Sequence, residues 1–167
     1  TTGPDCGSYT PAPIELSLGA YDNATNSIDL YASSPYDIAG FQFNIDSSSL
    51  TLSGASGGAA GDAGFQLSTS DTGIVLGFSL TGSSVSAGED ILLVTLGFAV
   101  DASEESSICL DNIIFSGAEG VSLYTTGPDC GSYAPPPVEI SLGDELVNGL
   151  VQVNFNSPYS LAGFQFD

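Results

Sequence analysis

Apolar side chains recur at every second position in short runs along the chain, at Ile14/Leu16/Leu18, Ile28/Leu30/Ala32 and Phe41/Phe43/Ile45. The same period returns at Ile74/Leu76/Phe78/Leu80, at Leu92/Val94/Leu96/Phe98/Val100 and at Ile108/Leu110, then resumes out of phase at Ile113/Phe115. A period of two sends alternate side chains to opposite faces of an extended chain, so each run predicts a strand with one face in a core. Clusters of Gly, Ser, Asn and Asp between the runs supply the turns. The slip between Leu110 and Ile113 predicts a bulge, where one extra residue shifts the facing. Only the glycine-rich stretch 58–64 could hold a helical turn, and its glycines limit that turn's length. Eight or nine short strands without a helical stretch predict an all-β, two-sheet sandwich of jelly-roll or immunoglobulin-like type.

The chain also repeats itself. TTGPDCGSY at 1–9 recurs residue for residue at 125–133, PIELSLG at 13–19 returns as PVEISLG at 137–143, and SPYDIAGFQF at 34–43 returns as SPYSLAGFQF at 157–166. The offset falls from 124 to 123 between the last two blocks, which places a one-residue deletion in the intervening turn. A period of this length is a whole domain rather than a solenoid unit. The expected organisation is a linker at 1–12, a sandwich at 13–123, a second linker at 124–137 and a partial second repeat at 138–167. The linkers, rich in Pro, should be extended and stiff, each a spacer of roughly 20 Å at ~3.1 Å per residue.

Three alternating strands are expected in the partial repeat: Val138/Ile140/Leu142, Val151/Val153/Phe155 and Phe164/Phe166. Three strands cannot close a sandwich, and alone they would leave an apolar face and unpaired edges. Completion by following residues, or by strand addition to another subunit, is therefore expected.

Charge narrows the function classes. There is no Lys, Arg or His against 20 Asp plus Glu, so no side-chain salt bridge can form. Nucleic acid and anionic membrane surfaces are excluded as partners, because their phosphates require basic side chains. Nine Phe, seven Tyr and a 42% hydrophobic content supply a core that a disordered acidic chain lacks. Enzymes that use a His or Lys base are excluded as well. Two carboxylate pairs, Glu89-Asp90 and Glu104-Glu105, lie in predicted turns and read as solvated charges, so no catalytic residue is assigned.

Three cysteines take their meaning from the repeat. Cys6 and Cys130 are one position in two copies, while Cys109 lies in a part of the repeat that the second copy does not reach. A bridge from Cys109 to Cys130, with Cys6 bonded to a preceding unit, is expected, and it points to an oxidising compartment. Hard oxygen ligands at Glu89, Asp90, Asp101 and Asp111 are weak candidates for Ca²⁺. Asn23-Ala-Thr25 is an N-glycosylation sequon, and Thr10 beside Pro11 allows O-glycosylation in the linker.

AGFQFN at 39–44, LSGASGGAA at 52–60, VLGFS at 75–79, LLVTLGF at 92–98 and ICLDNIIFS at 108–116 resemble a cohesin-type domain over about residues 13–123. Cys109 and the lack of basic residues depart from the usual cohesin pattern. The resemblance implies a jelly roll that is non-catalytic and strung in arrays on extracellular scaffolds. A repeat joined by Pro-rich linkers also resembles subunits of pilus-like filaments from environmental water. The sequence therefore points to a structural, extracellular or cell-surface filament subunit that partners copies of itself. The alternative is a cohesin-like protein- or glycan-binding module.

Overall fold

The structure, a computed structural model, describes residues 10–100, 104–144, 150–158 and 160–165. They fall into two compact units, Thr1–Tyr133 and Ala134–Asp167.

In the first unit the chain runs through β1 (Ile14–Leu18), β2 (Ser27–Ser34), β3 (Gly40–Ser47), β4 (Leu50–Ser56) and a short helix α1 (Gly58–Asp62). It continues through β5 (Gln66–Thr69), β6 (Ile74–Phe78), β7 (Gly88–Val100) and β8 (Ser106–Ser116) to three short strands, β9 (Ser122–Leu123), β10 (Thr125–Thr126) and β11 (Gly131–Tyr133). One sheet has the order β10-β1-β2-β7-β4, and the other has β11-β8-β3-β6-β5 with β9 also pairing with β8. The pairing of β1 with β10 is parallel.

The two inner faces meet in one core. Ile14, Ile28, Leu30, Val94 and Leu96 from the five-stranded sheet, and Phe43, Val75, Ile108 and Phe115 from the other, are buried. The ring of Phe41 stacks against Phe43, Phe65 and Phe115 at centroid separations of 5.9, 6.2 and 5.7 Å. Such offset pairs add to the area each ring removes from water. Phe41 has this room because Gly77 lies directly across the β3–β6 pairing, where a Cβ would come within 2.3 Å of the ring.

Two strands face differently from the simple alternation. On β6 the buried positions are Val75 and Gly77, so Ile74 and Phe78 are exposed, and Leu80 lies beyond the strand at 77% exposure. The sequence offers two apolar phases here, and the Phe41 ring selects the one containing a glycine. On β7 the register against β2 shifts so that Leu93 is the extra residue between Val94 and Leu92, and its side chain is fully buried. Gly58, at φ +63, sits where a Cβ would lie 2.5 Å from the Leu93 carbonyl, so α1 approaches the bulge through a position only glycine fills. On β8 a bulge falls at the phase slip, with Asn112 at φ 50 and the pairing to β3 shifting between Gln42 and Asn44.

The segment 124–133, read from sequence as part of a linker, is instead built into the sandwich as β10 and β11. Strand ladders and a buried Tyr133 outweigh the local Gly-Pro-Asp signal there.

In the second unit β12 (Glu139–Leu142) and β13 (Val153–Asn156) form an antiparallel pair. Its register places Glu139 opposite Asn156, Ile140 opposite Phe155, Ser141 opposite Asn154 and Leu142 opposite Val153. Each pair is the repeat counterpart of a pair joining β1 to β2, from Glu15 with Ser33 to Leu18 with Leu30. The third expected strand is absent among residues 160–165, and Phe166 lies outside the described residues. In the first unit β3 is held between β6 and β8, whereas among the described residues the sheet of the second unit contains β12 and β13.

Candidate interaction surface

The inverted facing of β6 places large apolar side chains on the outer face of the six-stranded sheet. Leu76 lies opposite Gln42 on one side and Ser68 on the other, and Gln42 lies opposite Ile114. This row, Ser68–Leu76–Gln42–Ile114, crosses four strands. Ile74, opposite Asn44, and Phe78, opposite Gly40 and Gln66, flank it. Ile74, Phe78 and Ile114 are 37%, 36% and 56% exposed. The row itself carries one amide, one hydroxyl and two aliphatic side chains, with Asp111 beside it opposite Asn44, on a chain whose formal charge is −20. Clustered apolar groups among uncharged polar ones, with charge depleted, have the composition of a binding surface rather than of scattered surface apolar residues. Sequence reading assigned Ile74, Leu76 and Phe78 to the core. The signal that could have corrected it is Gly77, flanked by apolar residues of the opposite phase.

A second feature closes one open side of the sandwich. β10 lies beside β1 in the five-stranded sheet and β11 beside β8 in the six-stranded sheet, so residues 127–130 cross from one layer to the other. Cys130 is bonded to Cys109 of β8, 21 residues earlier in the chain. Gly131 packs where a Cβ would be 2.9 Å from the Ile28 side chain. Tyr133 ends the segment at 2% exposure. Cys6 lies outside the described residues.

The acidic candidates are not gathered. Glu89 and Asp90 sit at the start of β7 in the five-stranded sheet, where the Asp90 backbone N–H donates to the Ser33 hydroxyl at 3.0 Å. Asp111 sits in the β8 bulge of the other sheet and accepts from the Asn112 backbone N–H at 2.8 Å. Asp101 lies outside the described residues. Among the described residues no three Cys, His, Asp or Glu side chains are grouped to hold a metal ion. Glu104 and Glu105 are exposed and stand outside the strands. Among the described residues no helix is long and apolar enough to cross a membrane.

Asn23 is exposed in the turn between β1 and β2. Asp22 organises that turn, accepting from the Thr25 hydroxyl at 2.7 Å and the Ala24 N–H at 2.8 Å. These bonds, the Thr25 one foremost, hold the Asp22 carboxyl below its ordinary value. Burial, with the neighbouring Asp22 charge, raises the Tyr21 phenol.

No protein-family model matches the chain, and no curated protein matches it in sequence. Solved structures do match in three dimensions. CaCohA2 from Clostridium acetobutylicum, solved in solution, is similar at a TM-score of 0.54 and 15% identity, over 73% of this chain and 91% of that one. A complex of CaDoc0917 with CaCohA2 gives a TM-score of 0.55 at 17% identity, over 71% and 96%. A type I cohesin–dockerin complex from Clostridium thermocellum, Coh-OlpC with Doc435, gives 0.54 at 13% identity, over 75% and 95%. The sandwich has the cohesin fold. Within the cohesin-fold unit, the Cys109–Cys130 bridge and the buried Tyr133 tie the residues after β10 to the edge of the six-stranded sheet.

Proposed function

We propose that the chain is a non-catalytic, protein-binding module of an extracellular repeat-built scaffold, and that it takes its partner on the outer face of the six-stranded sheet. The observation that carries this reading is the uncharged apolar row around Leu76, Gln42 and Ile114 on a cohesin fold. The solved cohesins named above include complexes with dockerins, which makes a small dockerin-type module the first partner to try. A disulfide supports an extracellular or cell-surface location, since thiols stay reduced in most cytosols. The reading includes a glycan on Asn23, whose turn is exposed.

Binding of dockerin modules and of native extracellular proteins to the immobilised full chain tests it, alongside a Phe78→Asp/Ile114→Asp variant. Capture by the parent and loss in the variant supports the proposal, while equal capture by both places binding elsewhere.

A second reading, a filament unit partnering copies of itself, draws no support from the cohesin structures. It is favoured by one observation, the strand register of the first repeat reproduced in the second. Filaments of native material with a one-repeat axial period would support it.

A further inference from the structure

The outer face of the five-stranded sheet carries a second surface, chemically unlike the one on the six-stranded sheet and independent of it. β2 presents Asp29, Tyr31 and Ser33 there, at positions that alternate with the buried Ile28, Leu30 and Ala32. Tyr31 lies opposite Ser17 of β1 and Leu92 of β7. Asp29 lies opposite Thr95 of β7, which in turn faces Ser56 of β4.

The half-buried Tyr31 ring leans along the sheet rather than away from it. Its hydroxyl reaches Asp29 Oδ2 at 3.5 Å, and a Cβ at Gly19 would lie 3.4 Å from its ring atom Cε2. A glycine at 19 therefore leaves the ring its place beside β1. The other oxygen of Asp29 accepts the Thr95 hydroxyl at 2.6 Å. A carboxylate offers about four lone-pair sites, so Asp29 is fixed from both sides and keeps acceptor capacity for a ligand. On the far side of Tyr31, Ser33 opens into a groove of about 490 Å³ whose walls include Glu15, Pro35, Gly88 and Glu89. The Ser33 hydroxyl is anchored there by the Asp90 backbone N–H at 3.0 Å. From Asp29 to Ser33 is about 13 Å of strand at ~3.3 Å per residue.

These groups select a ligand chemistry. A flat ring beside hydroxyl and carboxylate acceptors matches a pyranose, which has an apolar C–H face for the ring and hydroxyl hydrogens for the acceptors. Anionic glycans are repelled, because the chain has 20 acidic side chains and no Lys, Arg or His. We propose that this face binds a neutral oligosaccharide, with one sugar stacked on Tyr31 and donating its hydroxyls to Asp29. The saccharide continues over Ser33 into the groove beside Glu15 and Glu89. The second repeat supplies an internal comparison. β13 pairs with β12 in the same register with Asn154 and Asn156 at the positions of Tyr31 and Ser33. Gln152 stands at the position of Asp29, and its carbonyl accepts the Gly143 N–H as that of Asp29 accepts the Gly19 N–H. Strand pairing thus needs neither the ring nor the carboxylate, which leaves both for binding.

Isothermal titration calorimetry of the full chain with cellohexaose and xylohexaose, both neutral chains of equatorially substituted pyranoses, tests this. Saturable binding is expected, little changed by salt. Tyr31→Asn should weaken it about tenfold or more by removing the stacking ring, and Asp29→Gln should weaken it severalfold by removing the charged acceptor. Both variants take the side chains with which the second repeat pairs its strands, and thermal unfolding checks that they fold. In the parent, backbone amide NMR shifts on adding cellohexaose should gather at Gly19, Tyr31, Ser33 and Thr95, a readout that needs no variant. No saturable binding of either sugar by the parent, equal binding by Tyr31→Asn, or shifts gathered on another face would overturn the proposal. So would binding restricted to a cationic chitosan oligomer and abolished by salt, which is attraction to diffuse charge alone.

Discussion

The ring of Tyr133 meets the ring of Tyr21 edge-on, with centroids 4.8 Å apart and planes at 72°. Tyr21 leads from β1 toward β2, and Tyr133 closes the segment that crosses from β10 to β11, so this contact joins the two ends of the sandwich unit. Truncating Tyr133 removes a large buried ring. Tyr133→Ala should cost about 3 kcal/mol or more by analogy with other buried aromatic truncations. Urea denaturation of the full chain measures it, and an unchanged midpoint would mean that the segment is a linker after all.

The Cys109–Cys130 bridge closes a loop of 21 residues. Loop closure of that size restricts the unfolded chain by about 3 kcal/mol. Cys130→Ser should lower the melting temperature in oxidising buffer, and a reductant should then have little further effect on the variant while lowering the parent toward it.

Gly77→Ala places a methyl group within 2.3 Å of the Phe41 ring. The ring also stacks on Phe43, Phe65 and Phe115, so it has little freedom to withdraw. Overpacking of this kind costs about 1–3 kcal/mol. Thermal unfolding should register a loss for Gly77→Ala and almost none for Gly61→Ala, where a Cβ meets nothing within 4 Å.

The Asp22 carboxyl is held below its ordinary value by the Thr25 hydroxyl and the Ala24 N–H. A depressed folded value gives stability that is present above the unfolded value of about 4 and is lost as pH falls through the folded one. Neutralising the many other carboxylates relieves self-repulsion over the same range, so the parent's own profile mixes two opposing effects. Comparison with Asp22→Asn isolates the turn: the variant should be less stable than the parent at pH 7, and the gap should narrow below about pH 4. A gap of constant size from pH 7 to pH 3 would refute the assignment.

The sandwich class was legible because most strands carry one apolar phase, as at Ile28/Leu30/Ala32 and Phe41/Phe43/Ile45. β5 was invisible because Leu67 is its only large apolar residue, and β4 because Ser53, Gly54 and Ser56 break the pattern after Leu50 and Leu52. β10 and β11 were hidden for a different reason. Thr-Thr-Gly-Pro-Asp-Cys-Gly has local turn chemistry, and its strands exist only through a parallel partner at β1 and an edge partner at β8, contacts that no local pattern encodes. The candidate surface was misread because β6 is apolar on both faces, and only the packing of Phe41 over Gly77 decides which face is inside. The pairing of Cys109 with Cys130 could be reasoned from the repeat, whereas the burial of Tyr133 beside it could not.

Partner capture on the outer face of the six-stranded sheet is the most direct test of the proposed function. Surface plasmon resonance of the immobilised full chain against dockerin modules and native extracellular proteins should give a saturable partner for the parent. The Phe78→Asp/Ile114→Asp variant, folded by circular dichroism, should lose it. A partner held equally by parent and variant, or no partner beside self-assembly of the chain, would contradict the account.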